Sequence, residues 1–325
     1  MTAPLYDPLL FAAHMTDRDA SPLQPTPKRK HTAAHRAEFA LARTLESTVS
    51  ALPERAADAV GRSIGRAVHR LGIRRDIVES NLRLAFPDRD DRWIARTAFA
   101  AYEHLGREAA ATMRLSKLDA RAIVERTVPI GWDEMEAARS LGRGVILVTG
   151  HYGNWEIAAA TVASRGIPIA AIVRRQGNRL VDERLQQLRK KLGVETIYQR
   201  QAPGEVPRIL RANGVVGIVG DQNARRAGIL VPFFGHPAST HRGPALFALR
   251  LGTPVLSCIA RRMPGNEPRY EIAGERVEVE RTGELDVDIH AMTAELAARL
   301  ERQVRIAPEQ YFWFHNRWKH SAPRS

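Results

Sequence analysis

The chain has 325 residues, with 49 Lys and Arg against 36 Asp and Glu, a formal charge of +13. Hydrophobic residues make up 44% and charged residues 26%, enough to bury a large core, which excludes a disordered or fibrous chain. The single cysteine, Cys258, excludes an internal disulfide, and no uncharged apolar run reaches the roughly 18–20 residues that cross a bilayer.

A basic excess of this size calls for acidic partners: nucleic acid, anionic lipid, a phosphorylated substrate or an acidic carrier protein. Pro4, Pro8, Asp17 and Asp19 interrupt any secretory signal. Pro22, Pro25 and Pro27, followed by Lys28, Arg29, Lys30 and His31, make residues 1–33 a disordered, solvated basic arm. From Glu38 to Leu71 apolar residues recur at helical steps on either side of Pro53, with Arg55, Arg62, Arg66 and Arg70 on or near the other face. Such a helix packs on a domain or lies in a membrane interface. Further helices are predicted over Arg74–Ala85, which Pro87 ends, and over Trp93–Met113. Residues 117–141 read as a short helix, a brief strand at Thr127–Ile130 and a Glu- and Ala-rich helix.

From residue 144 strands and helices alternate, with strands expected at 144–149, 167–173, 194–198, 215–220 and 254–260. The fold class is α/β: a mostly parallel mixed sheet flanked by helices, preceded by an N-terminal helical region. One domain is expected over 34–325, its helical part at 34–141 and its α/β core at 142–325. Tyr270–Val279 reads as two antiparallel edge strands, Val287–Ile306 as a long helix, and Val231–Gly235 as an apolar loop. The aromatic run from Tyr311 to Trp318 reads as a late core helix, or as an aromatic-basic edge at a membrane surface.

Gly144-Val-Ile-Leu-Val-Thr-Gly-His-Tyr-Gly-Asn-Trp-Glu156 organises the chain. A buried strand ends at Gly150, Gly150 and Gly153 bracket His151 in a turn, and Asn154 caps the helix that follows. His151 therefore stands at the carboxyl end of a strand, where open α/β sheets bind ligands. Glu156, in the helix's first turn, is expected to hold one ring nitrogen of His151 and leave the other free to take a proton. Arg174 and Asp221 close two other strands. The arginine there clamps a phosphate or steadies an oxyanion, or is simply solvated. The buried aspartate supports the histidine or an arginine, or caps a loop.

His151-Tyr-Gly-Asn-Trp-Glu156 resembles the active-site motif of the late acyltransferases of lipid A biosynthesis, the lauroyl and myristoyl type. These lie within the wider lysophospholipid acyltransferase group, with its His-x4-Asp/Glu signature. A similar string, Asn81-Leu-Arg-Leu-Ala-Phe-Pro87, precedes it, and others follow in order: Arg174 with Asn178, Asp221-Gln222, Pro232-Phe-Phe-Gly235, the helix start at Thr240 to Arg242, and Pro308-Glu-Gln-Tyr-Phe-Trp-Phe-His-Asn-Arg317. The resemblance implies transfer of a fatty acyl chain from acyl carrier protein to a hydroxyl of a lipid A precursor. His151 would be general base, assisted by Glu156, with Arg174 at the oxyanion or the acceptor phosphate and Asp221 supporting them. Asn154, Asn178, Gln222, Phe233, Phe234, Thr240 and Arg242 are expected around the substrates. No metal and no cofactor is implied. The partners implied are acyl carrier protein, a glycolipid acceptor and a membrane surface, not nucleic acid. The Ala- and Arg-rich N-terminal helices suit peripheral attachment at the cytoplasmic face of the inner membrane.

Two other readings stay open. A phosphatidylinositol mannoside or other lysophospholipid-type acyltransferase keeps the chemistry and changes the acceptor; that branch tends to carry Asp where this chain has Glu156. A nucleic-acid-binding protein is suggested by charge alone, although arginine is spread through every helix rather than gathered in a binding module.

Overall fold

The computed structural model describes residues 32–319. Its centre is strand β2 (Val145–Thr149), whose side chains alternate between two apolar faces. Val145 and Leu147 join one core, Ile146 and Val148 the other. Helices cover both faces, which is why the strand is apolar throughout rather than alternating. Each fully buried side chain of this kind contributes roughly 1.5–3 kcal/mol.

Along the chain, helices α1 (Ala33–Ala51), α2 (Glu54–Arg70), α3 (Arg75–Ala85), α4 (Asp91–Leu115) and α5 (Ala120–Glu125) lead to β1 (Thr127–Ile130) and α6 (Trp132–Ser140). After β2 come α7 (Trp155–Ser164), β3 (Ile169–Val173), α8 (Arg179–Lys191), β4 (Val194–Tyr198), α9 (Ala202–Arg211) and β5 (Val215–Val219). A hairpin of β6 (Ile229–Phe233) and β7 (His236–Thr240) precedes α10 (Gly243–Leu251), β8 (Val255–Arg262), β9 (Tyr270–Val277) and α11 (Leu285–Ile306). Seven strands form one sheet in the order β1-β9-β8-β2-β5-β3-β4. The block β8-β2-β5-β3-β4 is parallel, β9 runs antiparallel to β8, and β1 follows β9. The expected fold class, a mostly parallel mixed sheet behind a helical N-terminal region, is the one observed.

α5 to α8 cover one face of the sheet and α9 to α11 the other. A third core lies beyond the strand ends. It joins Val78 and Leu82 of α3, Tyr102 of α4, Phe233 of β6, and Trp313 and Phe314 of the C-terminal segment.

Three expectations need correction. Residues 270–279 are not two edge strands: β9 is one strand, and β1 covers its outer edge. Val231–Gly235 is not a loop but the end of β6 and the turn of a hairpin, made by Phe234 and Gly235 at φ of 53° and 75°. That pair of left-handed residues suits the right-handed twist of the flanking strands. The C-terminal aromatic run is not a helix. A short 3₁₀ turn at Pro308–Gln310 leads through an isolated bridge at Tyr311 into a run of turns, because the backbone there bonds outward: Gln310 O accepts from Gly153 N at 2.9 Å and Phe312 N donates to His151 O at 2.9 Å. The basic arm expected over 1–33 lies outside the described residues except at its end, where Thr32 caps α1.

α2 and α4 cross in near contact because glycine sits where they meet. A Cβ on Gly65 would lie 2.1 Å from Tyr102 O, and one on Gly61 would lie 2.5 Å from Gly106 O. Neither helix backbone can yield locally. Gly65→Ala is therefore expected to destabilise the fold by about 1–3 kcal/mol, although alanine is the better helix former by nearly 1 kcal/mol. A urea midpoint equal to or above that of the parent chain would show that the crossing is not this close.

Candidate active site

β2 and β5 are parallel neighbours in a register that pairs Thr149 with Val219. Each continues through a glycine, and Gly220 N donates to Thr149 O at 2.9 Å. The next residues, His151 and Asp221, then stand opposite each other. His151 Nδ1 lies 2.6 Å from Asp221 Oδ1. The aspartate is 7% exposed, while the histidine side chain keeps 20% of its surface open. An ionised carboxylate only accepts, so Nδ1 carries the proton and Nε2 presents its lone pair. The amide nitrogen of Gln222, 3.3 Å from Nε2, donates to it. Trp155 meets the ring edge-on at 4.8 Å.

The electrostatics agree from both sides. Burial works against the His151 charge, but the charge and hydrogen bond of Asp221 outweigh it and raise the histidine above its ordinary value. Burial likewise works against the Asp221 charge, yet His151, helped by the charge of Arg317, brings that carboxyl down to about 2. Burial and the Asp221 charge hold the Tyr311 phenol well above its usual range. His315 is neutral in character: burial lowers it, and its Nε2 accepts from Asn223 N at 3.0 Å.

Beside the pair lies a cavity of about 40 Å³, room for roughly three waters. Gly150, Asp221, Thr240, His241 and Arg317 give it polar walls, and Val148, Ile259, Leu296 and Leu300 give it apolar ones. Cys258 also lines it, but burial pushes its thiol up to about 12, so it offers no thiolate.

The sequence-predicted residues divide into those that reach this centre and those that do not. Asp221, not Glu156, holds the His151 ring. The Glu156 carboxylate pairs instead with Arg189 of α8, whose Nε donates to it at 3.0 Å. Gln222 touches the histidine, and Phe233 and Thr240 line the cavity. Asn154 is 3% exposed and fully engaged: Oδ1 accepts from Ile157 N, and Nδ2 donates to Glu108 and Thr112. It has no group left for a substrate. Asn178 similarly caps α8 and donates to His35 O and Glu38. Phe234 sits in the hairpin turn against Phe86 and Trp313. Arg242 pairs with Asp286 at 2.7 Å, and Arg174 is exposed at the end of β3.

Arg317 closes the last string of the resemblance, but sequence reasoning gave it no role at the site. It is 3% exposed, donates to Ser239 O and Thr240 Oγ1, and lies with its guanidinium carbon 5.5 Å from the Phe233 ring centre. A lone arginine inside an aromatic run was the available signal, since a cation buried among rings must find acceptors.

The family described as bacterial lipid A biosynthesis acyltransferase matches residues 26–320. The chain is 26% identical to the lipid A biosynthesis lauroyltransferase of Escherichia coli K12 over 263 residues, 80% of this chain and 84% of that one. It is 29% identical to the phosphatidylinositol mannoside acyltransferase of Mycobacterium tuberculosis over 163 residues, 48% of this chain and 52% of that one. The corresponding Mycolicibacterium smegmatis protein is 27% identical over 166 residues, 50% of this chain and 54% of its own. The chain thus spans about half the length of these mycobacterial relatives.

Asp221→Asn keeps the shape of the pair and removes its charge. Burial is then left to act on His151 unopposed, so the histidine should titrate below its ordinary value of about 6.5 instead of above it. NMR titration of the imidazole measures this directly. An unchanged value in Asp221→Asn would mean that another group sets the charge of the ring.

Proposed function

The chain belongs to the bacterial lipid A biosynthesis acyltransferase family, and from that premise we propose that it moves a fatty acyl chain from the thioester of acyl carrier protein to a hydroxyl of a lipid A precursor. The observation that carries this reading is the 2.6 Å His151–Asp221 bond, which leaves the second ring nitrogen only the longer 3.3 Å contact with the Gln222 amide, on a side chain 20% exposed. Nε2 takes the proton of the acceptor hydroxyl as its oxygen attacks the thioester carbonyl. Asp221 holds the ring in the productive tautomer and offsets the charge the ring gains. The tetrahedral intermediate collapses with loss of the carrier thiolate, which takes the proton back from the imidazolium. The bond formed is the ester C–O, the bond broken is C–S, and no covalent enzyme intermediate is needed.

The cavity beside the pair supports an acyl subsite of which Phe233 forms one wall. A fatty chain needs more room than is open there, and Leu296 and Leu300 of α11 are the side chains that would have to give way. Arg174, exposed at the end of β3, would meet an acceptor phosphate. Gln222 is the group nearest the attacking oxygen, and Glu156, paired with Arg189, ties α7 to α8.

Among the described residues no helix is long and apolar enough to cross a membrane. Leu71 is 75% exposed and Ile73 51%, between Arg70 and Arg74 at the tip joining α2 to α3. Apolar side chains ringed by arginine support peripheral attachment to an anionic membrane surface, at the cytoplasmic face of the inner membrane. The lauroyltransferase match spans most of this chain, whereas the mycobacterial matches span half, and that favours a lipid A precursor over a mannosylated phospholipid as acceptor.

The test mixes the purified protein with acyl carrier proteins carrying saturated chains of graded length and with a lipid A precursor. We expect transfer by the parent chain and a loss of roughly a hundredfold or more in His151→Ala. The base must be neutral to act, and its value is raised. The rate, as kcat/KM, should therefore climb with pH through a midpoint above about 6.5. Transfer that survives His151→Ala would overturn the mechanism. Transfer to a mannosylated phospholipid but not to the lipid A precursor would overturn the acceptor, and DNA binding indifferent to His151→Ala with no transfer would overturn the enzyme.

A further inference from the structure

The turn that carries His151 is tied to a buried charge network outside the site. Glu108 of α4 and Arg262 at the end of β8 are 7% and 4% exposed. Arg262 donates to Glu108 Oε1 at 2.9 Å and to Asp58 Oδ1 of α2 at 2.7 Å. Arg107 also donates to Asp58 Oδ1, at 2.7 Å. Arg62 Nη2 reaches the other oxygen of Asp58 at 3.4 Å, so two carboxylates hold three guanidinium groups together. The second oxygen of Glu108 accepts from Tyr270 OH and from Asn154 Nδ2, each at 2.8 Å.

We propose that Glu108, in buried contact with Asn154, and Arg262, which holds Glu108, are positioning residues that fix the turn presenting the His151 ring. The inference rests on reading His151 as the base. Asn154 is located from three sides: by Glu108 and Thr112 at its nitrogen, by Ile157 N at its oxygen, and by Ala260 O at its backbone. Between it and His151, Gly153 has φ of +57° and would place a Cβ 1.8 Å from Ala260 O, so the turn cannot slide along β8. A second path leads from the same arginine. The backbone N–H and C=O of Arg262 pair with the Gln310 amide at 2.8 and 2.9 Å, and Gln310 O accepts from Gly153 N. Both routes to the histidine turn therefore start at Arg262, one through its side chain and one through its backbone. Stability alone does not require this arrangement, because buried ion pairs can often be exchanged for apolar residues without loss. Placement does require it. An ångström of misplacement in a reacting group can cost a hundredfold in rate.

The test is Glu108→Gln in the full chain. Glutamine keeps the volume but turns one oxygen into a donor, and every neighbour of that carboxylate is itself a donor. We expect kcat in the transfer assay to fall about tenfold to a hundredfold, with KM for the carrier changed by less than about twofold. The NMR titration of His151, which needs no substrate, should also move as the ring shifts against Asp221. The double variant Glu108→Gln with Asn154→Asp reverses the polarity of the bond while keeping the cap on Ile157 N. It should recover most of the lost kcat, and the His151 titration with it. Tyr270→Phe leaves the ion pair whole and removes one donor from the same oxygen; should Glu108→Gln fail to fold, this variant reads the same effect at smaller size. A lower unfolding temperature with kcat and the His151 titration unchanged, in Glu108→Gln or in Tyr270→Phe, would overturn the proposal. If the parent chain transfers no acyl group yet Glu108→Gln moves the His151 titration, the proposed reaction fails and the positioning role stands. If the titration does not move either, both fail.

Discussion

One hydrogen bond between two strand ends, His151 Nδ1 to Asp221 Oδ1, is the contact around which the rest is arranged. It exists only because β2 and β5 lie side by side, parallel and in a register that carries both chains through a glycine at the same height. A slip of one residue would turn His151 and Asp221 to opposite faces of the sheet. Helices on both faces hold that register, since each central strand is buried on two sides. The stability of the sheet and the chemistry at its edge are thus one constraint. A carboxylate as buried as Asp221 is tolerable only beside a group that can carry positive charge, and the histidine supplies it.

The same strand ends explain why Glu156 is elsewhere. From the first turn of α7 its side chain runs along the helix flank to Arg189 of α8, which is 14% exposed and binds it through two nitrogens. The spacing of five residues between His151 and Glu156 is a local quantity. The identity of the carboxylate that reaches an imidazole depends on which strand becomes the neighbour. Nothing between residues 144 and 156 states that β5, seventy residues on, lies beside β2 and not beyond β3.

This divides what was legible from what was not. The central strands could be read because they are short, apolar and bounded by glycine, and β4 falls at Val194–Tyr198 as expected. Asp221 was legible as a residue closing a strand that supports the histidine or an arginine; that it, and not Glu156, takes the His151 ring was not legible. The β6–β7 hairpin and the C-terminal segment were illegible for one shared reason. Their conformation is set by distant bonds rather than local preference: Phe234 N to Glu301, Phe312 N to His151 O, Asn81 Nδ2 to Trp313 O. An aromatic run has no period of its own when each ring fills a different gap. Phe233 stacks on Trp318, Phe234 meets Phe86, and Phe312 faces His151. Asn154 was legible as a helix cap, and its burial against Glu108 became visible only once α4 was in place.

The arginine excess also changes meaning once placed. Several arginines serve backbone oxygens rather than acids. Arg114 donates to Val49 O, Ser50 O and Leu52 O, satisfying carbonyls that the end of α1 leaves open. Arg74 holds Phe314 O, and Arg317 holds Ser239 O. None of these needs a counter-ion to be useful, so each adds to the net charge while being spent within the fold. Others cross between layers to a carboxylate, as Arg184 does to Glu46 and Arg262 to Asp58 and Glu108. A formal +13 therefore does not mark a surface patch, and as an argument for nucleic acid it weakens with every arginine found inside. What remains at the surface is local: Arg70 beside Leu71 and Ile73, and Arg174 and Arg175 at the end of β3. Such patches suit an anionic headgroup or a phosphorylated acceptor approaching the strand ends, where His151 also stands.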